Sequence, residues 1–379
     1  MESILAITPF FGRSGSEIAL FNLCEGLNQV FDISIYTPQL DPDLKQDVSD
    51  KIKVYHSGKR SKRKSFIGKL KKALNPTTDF EKRLGNKKFD YIILNTFLSF
   101  KYFDLFRSGG TKVILYVHET EQMLSGIDSQ KFNKILAEAD LVFCSSNHVK
   151  QYLNLLGRQE KIKVLYPAVN FEKFSLPLAQ RSIRKELGFG EKDFVWGMSG
   201  ALTLNKNPAM FIAAAEILLQ RFENVKFLWI GTRGNDIYEE YLIKSVKKKG
   251  LQEKVQFIEK REDDYFEYLN ILNGYLLTSF SESFSLSAME AASFNIPVIS
   301  FPCGGVLEAV PDKLRQVTSE FSTRELVEKM ESIMENGISS ITLKETEQFL
   351  RMDKKNAANE FRKVLREEFK VADCREIIV

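Results

Sequence analysis

The 379-residue sequence predicts two doubly wound α/β domains in series. Three observations carry that expectation. The length is about two to three times that of a common domain of ~100–150 residues. Apolar runs of strand length alternate with longer amphipathic stretches of helical period. The alternation halts in a polar stretch, Asn170 to Glu191, and then restarts.

In the first half the strand-length runs are 4–10, 32–38, 53–57, 90–96, 112–119, 141–146 and 162–169. Between the first two, residues 16–29 place Ile18, Leu20, Phe21, Leu23, Cys24 and Leu27 at three- and four-residue steps, which reads as a helix. Near-continuous Val, Ile and Leu runs joined by helices are what a parallel sheet covered on both faces requires. The second half repeats the grammar with runs at 193–202, 225–232, 255–260, 274–280 and 297–301. There Pro208 sits where a helix starts, a position at which its missing N–H costs nothing. After residue 320 the sequence is helical with charged faces, and the last segment, 353–369, suits either a surface helix of the second domain or one that crosses back onto the first. The expected domains are residues 1–175, residues 176–350 and a closing helical piece, 351–379. Two such domains in series face each other across a cleft, and ligands of open parallel sheets sit at the carboxyl ends of the strands.

Composition excludes several classes. With 44% hydrophobic and 27% charged residues the chain is an ordinary folding chain, neither disordered nor of low complexity. No apolar run reaches the ~18 residues of a membrane span, and MESILAITPF lacks the parts of a signal peptide, so a cytoplasmic location is expected. Cys24, Cys144, Cys303 and Cys374 are scattered, with no CxxC spacing, and read as buried reduced thiols with neither disulfide nor zinc.

The net charge of +4 is unevenly shared. Residues 1–185 hold 29 Lys and Arg against 19 Asp and Glu, a balance of +10, and the remainder carries 25 against 31, a balance of −6. Much of the excess lies at 59–72, KRSKRKSFIGKLKK, with eight basic residues and no acid. From Ser65 to Leu74 the apolar side chains Phe66, Ile67, Leu70, Ala73 and Leu74 share one helical face. Such a segment suits an anionic inner membrane surface, at about 1 kcal/mol per basic residue, and a plain solvated segment accounts for it equally well. Nucleic acid is not expected, since no stacking aromatics interleave and no binding module is recognisable.

The segment 279–310 is the richest in chemistry. Glu282 follows a strand and Glu290 lies eight residues on, inside a helix opened by Ser283 or Ser285. Two carboxylates so placed reach one ligand, and the free N–H groups of the helix start favour phosphate oxygens. Spacing alone leaves open a solvated glutamate and one that merely complements the helix dipole. Upstream, Gly200-Ala201-Leu202-Thr203-Leu204-Asn205-Lys206 places a lysine at a strand-to-helix junction. In the first half, Gly12-Arg13-Ser14-Gly15 opens a helix after the first strand, and His118 closes a buried strand.

Glu282, seven residues and Glu290, followed by Ile296-Pro297-Val298-Ile299, Gly304-Gly305 and Glu308, resemble the signature of the family-4 retaining glycosyltransferases, also called glycosyl transferases group 1. The resemblance touches nearly the whole chain and is specific over 197–310. It implies the B-type glycosyltransferase fold of two Rossmann-like domains. It also implies transfer of a sugar, with retention and without a metal, from a nucleotide-sugar donor such as a UDP-, GDP- or ADP-sugar to a saccharide or lipid-linked acceptor. No other cofactor is implied.

By the same resemblance Glu282 contacts donor-sugar hydroxyls, Glu290 holds the ribose, Lys206 opposes the diphosphate and His118 bonds the donor sugar. Gly12, Gly15, Gly200, Ser285 and Leu286 approach the donor through backbone. Two positions depart from the family pattern: Ala201 stands where an arginine is usual, and Ser285 where a glycine is usual. Asn170, in the interdomain segment, replaces an aspartate. Arg13 is a candidate for the missing cation. Asp263-Asp264 do not form the spaced DxD dyad of many metal-dependent transferases. The pathway expected by analogy is surface polysaccharide or glycolipid assembly. The alternatives are a nucleotide-sugar epimerase on the same fold and a non-catalytic nucleotide-sugar-binding subunit.

Overall fold

The computed structural model describes residues 1–370 apart from 13, 41–47, 58–79, 81, 86, 107–109, 157–160, 176–181, 233–236, 260, 262–263 and 338–345. The basic stretch 59–72, Arg13, Asp263 and Cys374 therefore lie outside the described residues. The chain divides into two compact units, one of Met1–Phe171 with the stretch from Leu350 on, the other of Glu172–Phe349.

The first unit is a seven-stranded sheet built from β1 (Ser3–Ile7), β2 (Asp32–Thr37), β3 (Lys53–His56), β4 (Tyr91–Asn95), β5 (Lys112–Val117), β6 (Leu141–Cys144) and β7 (Ile162–Val164). Its order is β3-β2-β1-β4-β5-β6-β7 and every pairing is parallel. The pleat sends Ile4 and Ala6 to one buried cluster and Leu5 and Ile7 to the other, so both faces of the sheet are covered. This explains why the strand sequences read as continuous apolar runs. The second unit is a six-stranded parallel sheet of β8 (Phe194–Ser199), β9 (Val225–Thr232), β10 (Val255–Glu259), β11 (Gly274–Leu277), β12 (Val298–Ser300) and β13 (Arg315–Val317), in the order β10-β9-β8-β11-β12-β13. Both sheets are doubly wound and Rossmann-like, the pair expected for the B-type glycosyltransferase fold.

Most strands end before the apolar run that marks them. The surplus includes buried loop residues such as Thr8, Thr278 and Ser279, which continue past the strand ends without leaving the interior. β13 was not anticipated: Arg-Gln-Val is a short, half-buried edge strand with no apolar run to mark it.

The closing helix, Lys354–Phe369, belongs to the first unit, which settles the choice that periodicity left open. It packs on the opening helix, Gly15–Leu27, and buries Ala357, Ala358, Phe361, Val364 and Leu365 in that cluster. Val169 N–H donates to Met352 O at 2.7 Å and Lys354 N–H donates to Val169 O at 2.9 Å, so the chain is also tied in by backbone. Gly26 is the point of closest approach: a Cβ there would lie 2.5 Å from Lys354 O and 2.8 Å from Ala358 Cβ. Backbone oxygen cannot swing aside, so Gly26→Val should cost about 1–3 kcal/mol and lower the melting temperature. An unchanged melt would show that the two helices separate freely.

Candidate functional site

In the second unit the strand order reverses between β8 and β11, and the carboxyl ends at such a reversal are where open α/β sheets bind their ligands. The β8 loop carries Gly200 to Asn207 and runs into the helix Pro208–Leu218, with Pro208 at its start. The β11 loop carries Glu282 and runs into the helix Leu286–Ser293. Local bonds lock the loops together. Phe280 N–H donates to Asn205 O at 2.8 Å, Asn205 Nδ2 to Ser281 O at 2.9 Å, and Thr278 Oγ1 to Lys206 O at 2.9 Å. Glu282 N–H donates to Cys303 O and accepts Gly305 N–H on its own carbonyl, at 2.7 and 2.9 Å, so the segment after β12 braces it from the far side.

These constraints bring Lys206 Nζ to 2.7 Å from Glu282 Oε1. The carboxylate side chain is 9% exposed and the lysine 23%, so water screens the pair weakly. Burial alone would push the ammonium's pKa down; the charge and hydrogen bond of Glu282 outweigh it and hold Lys206 above the ordinary lysine value. Gly200 takes φ +140°, and a Cβ there would sit 3.3 Å from Lys206 Cε, so the lysine stem lies across the bare backbone.

Ser285, where the family pattern has glycine, does occupy the left-handed region, at φ +77° and ψ +74°. A non-glycine residue there costs roughly 1–2 kcal/mol. Its Oγ is buried and finds no hydrogen-bond partner among the described residues, and it makes no side-chain cap to the helix it precedes. The turn survives the serine, and the first N–H groups of Leu286–Ser293, beginning with Leu286 itself, are left without an intrahelical acceptor.

Glu290 sits in the second turn of that helix. Its Oε2 accepts from Tyr265 OH at 3.0 Å, Tyr265 OH lies 2.7 Å from Ser199 Oγ, and Ser199 N–H donates to Tyr275 OH at 3.0 Å. Burial pushes the Glu290 carboxyl up to about 7, against the pull of the Tyr265 hydroxyl. Tyr265, Tyr275 and Ser199 went unnoticed in the sequence, because a tyrosine in a strand or short helix reads as core. Asp264, the neighbour of Tyr265, is paired with Arg261 through its Nε at 2.7 Å. Among the described residues no group of three or more His, Cys, Asp or Glu gathers as a metal site.

In the first unit the corresponding reversal falls between β1 and β4. Gly12 is buried beside the Phe10 ring, and Gly15 opens the helix Gly15–Leu27, whose N-cap, Ser14, makes no side-chain cap. His118 follows β5 directly. Its Nε2 lies 3.0 Å from Asn95 Oδ1 and its ring centroid 4.0 Å from that of Tyr116, and burial pushes the imidazole down to about 3. Burial pushes the neighbouring Glu119 carboxyl up to about 7, although it accepts N–H bonds from Phe97 and His118. Asn95 was not anticipated, since it closes a strand that reads as purely apolar. Thus Gly200, Lys206, Glu282, Ser285, Leu286 and Glu290 gather at one set of strand ends, and Gly12, Gly15 and His118 at the other.

Two family models match the chain, one for each half. Glycosyltransferase Family 4 matches residues 13–173, and Glycosyl transferases group 1 matches residues 179–350. The D-inositol 3-phosphate glycosyltransferase of Salinispora arenicola is 26% identical over 200 residues, 48% of this chain and 44% of that protein. That of Kribbella flavida is 25% identical over 191 residues, 47% and 44% respectively. The chain thus spans less than half the length of the curated relatives it matches. Among solved structures, Anabaena Alr3699/HepE in complex with UDP and glucose has a TM-score of 0.74 at 18% identity, covering 96% of this chain and 99% of that one. Sucrose-phosphate synthase from Thermosynechococcus elongatus has a TM-score of 0.77 at 17% identity, covering 98% and 100%. At such identity these two establish the fold. With both halves matched in order by models of one enzyme family and the sheets arranged as that family's are, the chain belongs to the family-4, group 1 glycosyltransferases.

Proposed function

We propose that the chain is a retaining, metal-independent glycosyltransferase that moves a sugar from a nucleotide-sugar donor to a saccharide or lipid-linked acceptor, in the assembly of a surface polysaccharide or glycolipid. The single observation that carries this reading is the weakly screened Lys206–Glu282 pair beside the uncapped start of the helix Leu286–Ser293. A cation and a set of N–H donors lie on the loops and helix start that follow β8 and β11, and that combination suits a diphosphate.

Each side chain then has a role that its surroundings support. Lys206 and the N–H groups from Leu286 on oppose the charge that grows on the diphosphate as the sugar leaves, so no metal is assigned that task. Gly200 lets the backbone approach the phosphates. Glu282, once Lys206 turns to the diphosphate, accepts from hydroxyls of the donor sugar. Glu290, aimed by Tyr265, accepts from the ribose. In the first unit, the start of Gly15–Leu27 and His118 are assigned to contact with the donor sugar and the acceptor. The UDP and UDP-glucose complexes of Alr3699/HepE favour a UDP-sugar among the candidate donors. The basic stretch 59–72 is proposed to meet an anionic membrane surface at the acceptor side, on a cytoplasmic protein. Among the described residues no helix is long and apolar enough to cross a membrane.

A thermal-shift series with UDP, GDP, ADP and CDP, alone and as sugar conjugates, tests binding and names the base. The preferred ligand at 100 times its Kd should stabilise the protein by about 2.7 kcal/mol. No shift with any nucleotide would overturn the proposal. With that donor and an acceptor extract, Lys206→Met should lower kcat by about 10²–10³, the effect of removing one preorganised charge donor. Retention of full turnover by a folded Lys206→Met protein would remove the lysine from the mechanism. Donor consumption without any acceptor present, giving an isomeric nucleotide sugar, would instead identify an epimerase.

The raised Glu290 sets a pH dependence. The ionised carboxylate is the better acceptor for ribose hydroxyls, so affinity for UDP-glucose should fall, approaching tenfold per unit, as pH drops below about 7. Calorimetric titrations between pH 5.5 and 8.5 check this. Glu290→Gln should flatten the profile; a parent profile that is already flat would show that Glu290 does not touch the nucleotide.

A further inference from the structure

We infer that Asn95 is a positioning residue that holds His118 as the Nε2–H tautomer, so that the imidazole offers its Nδ1 lone pair to a substrate hydroxyl. Identifying that hydroxyl as one on a sugar rests on the transferase reading; the tautomer itself does not.

The assignment follows from where each hydrogen must lie. Thr8 Oγ1 is 3.0 Å from Phe10 O. A carbonyl oxygen only accepts, so the one hydroxyl hydrogen of Thr8 is used there, and Thr8 Oγ1 faces Asn95 as an acceptor. Asn95 Nδ2 lies 3.4 Å from Thr8 Oγ1 and 3.2 Å from Ser16 O. Two acceptors therefore face this end of the amide, and only the NH₂ group satisfies both. The opposite orientation would set the amide oxygen against two oxygens with no hydrogen between them. With the NH₂ end fixed, Oδ1 is the atom that meets His118 Nε2 at 3.0 Å. Oδ1 carries no hydrogen, so Nε2 must supply it. Asn95 is fully buried, so a wrong choice would leave its amide and the facing oxygens unsatisfied away from bulk solvent.

The ring is held in that register from several sides. Tyr116 packs against it with centroids 4.0 Å apart. The Glu119 carboxylate accepts from His118 N–H at 3.1 Å and from Phe97 N–H at 3.0 Å, and so pins the backbone after β5 to the backbone after β4. Between Asn95 and Phe97 the chain passes through Thr96 at φ +64°, a strained value for a β-branched residue. With burial holding the imidazole neutral to about pH 3, the Nδ1 lone pair is present throughout the physiological range. Because Ser16 lies in the first turn of the helix opened by Gly15, the same amide ties the glycine loop to the histidine. A hydroxyl suits the Nδ1 position; a carbonyl or an anionic oxygen, which only accepts, does not.

The test is a long-range ¹H–¹⁵N correlation spectrum of the full chain labelled at histidine, recorded without substrate. The sequence has three histidines, so His118→Gln identifies the signals. The expected result at pH 7 is a protonated Nε2 and a bare Nδ1 for His118. Asn95→Asp, whose carboxylate also accepts from Nε2–H, should keep that tautomer at pH 8, and Asn95→Leu should give averaged signals from both. A protonated Nδ1 or averaged signals in the parent would overturn the inference, as would a single Nε2–H tautomer in Asn95→Leu. Should the leucine variant not fold, the parent and aspartate spectra still decide. Because no donor is present, the outcome is independent of whether the chain transfers sugar.

Discussion

The candidate donor site depends on one interaction, the pairing of Lys206 with Glu282 at the ends of β8 and β11. Neither charge is tolerable there alone: an unpartnered buried charge costs several kcal/mol. The pair therefore holds the two loops in register, and the bonds from Thr278, Asn205 and Gly305 close around it. The same physics makes the pair exchangeable. In the proposed mechanism a diphosphate brings more negative charge to Lys206 than a single carboxylate does, and releases Glu282 to accept from neutral hydroxyls.

Other parts of the site are held against their local preference. Ser285 accepts a left-handed backbone that glycine would adopt freely, and its hydroxyl is buried without a described partner. Burial pushes the Glu290 carboxyl up to about 7, and it accepts from the Tyr265 hydroxyl. Such groups gain from a ligand what they lack in its absence, which is how functional sites differ from packed core. In the first unit, Thr96 and the buried Asn95–His118–Glu119 cluster show the same pattern at the ends of β4 and β5.

Much of this was legible in the sequence. Sheets covered on both faces impose continuous apolar strands, so twelve of the thirteen strands among the described residues and the repeat of the α/β grammar could be read directly. Lys206, Glu282 and Glu290 stood out because their spacing matches a family signature. What escaped was set by pairing rather than pattern. β13 is a half-buried edge with no apolar run. Tyr265, Ser199 and Asn95 matter through partners 66, 76 or 23 residues away, and no local period records such distances. The docking of Lys354–Phe369 onto Gly15–Leu27 is likewise a matter of which apolar face finds which, and Gly26 marks it only once both helices are in place.

Calorimetric affinities for UDP and UDP-glucose measure the proposed exchange of partners by Lys206 directly. In Glu282→Gln the ammonium no longer has a competing carboxylate, so UDP should bind at least as tightly as to the parent while UDP-glucose loses its added affinity. In Lys206→Met both ligands should weaken together. Equal loss of UDP affinity in the two variants would contradict the account, because Glu282 would then be part of the diphosphate site and not the group that the diphosphate replaces.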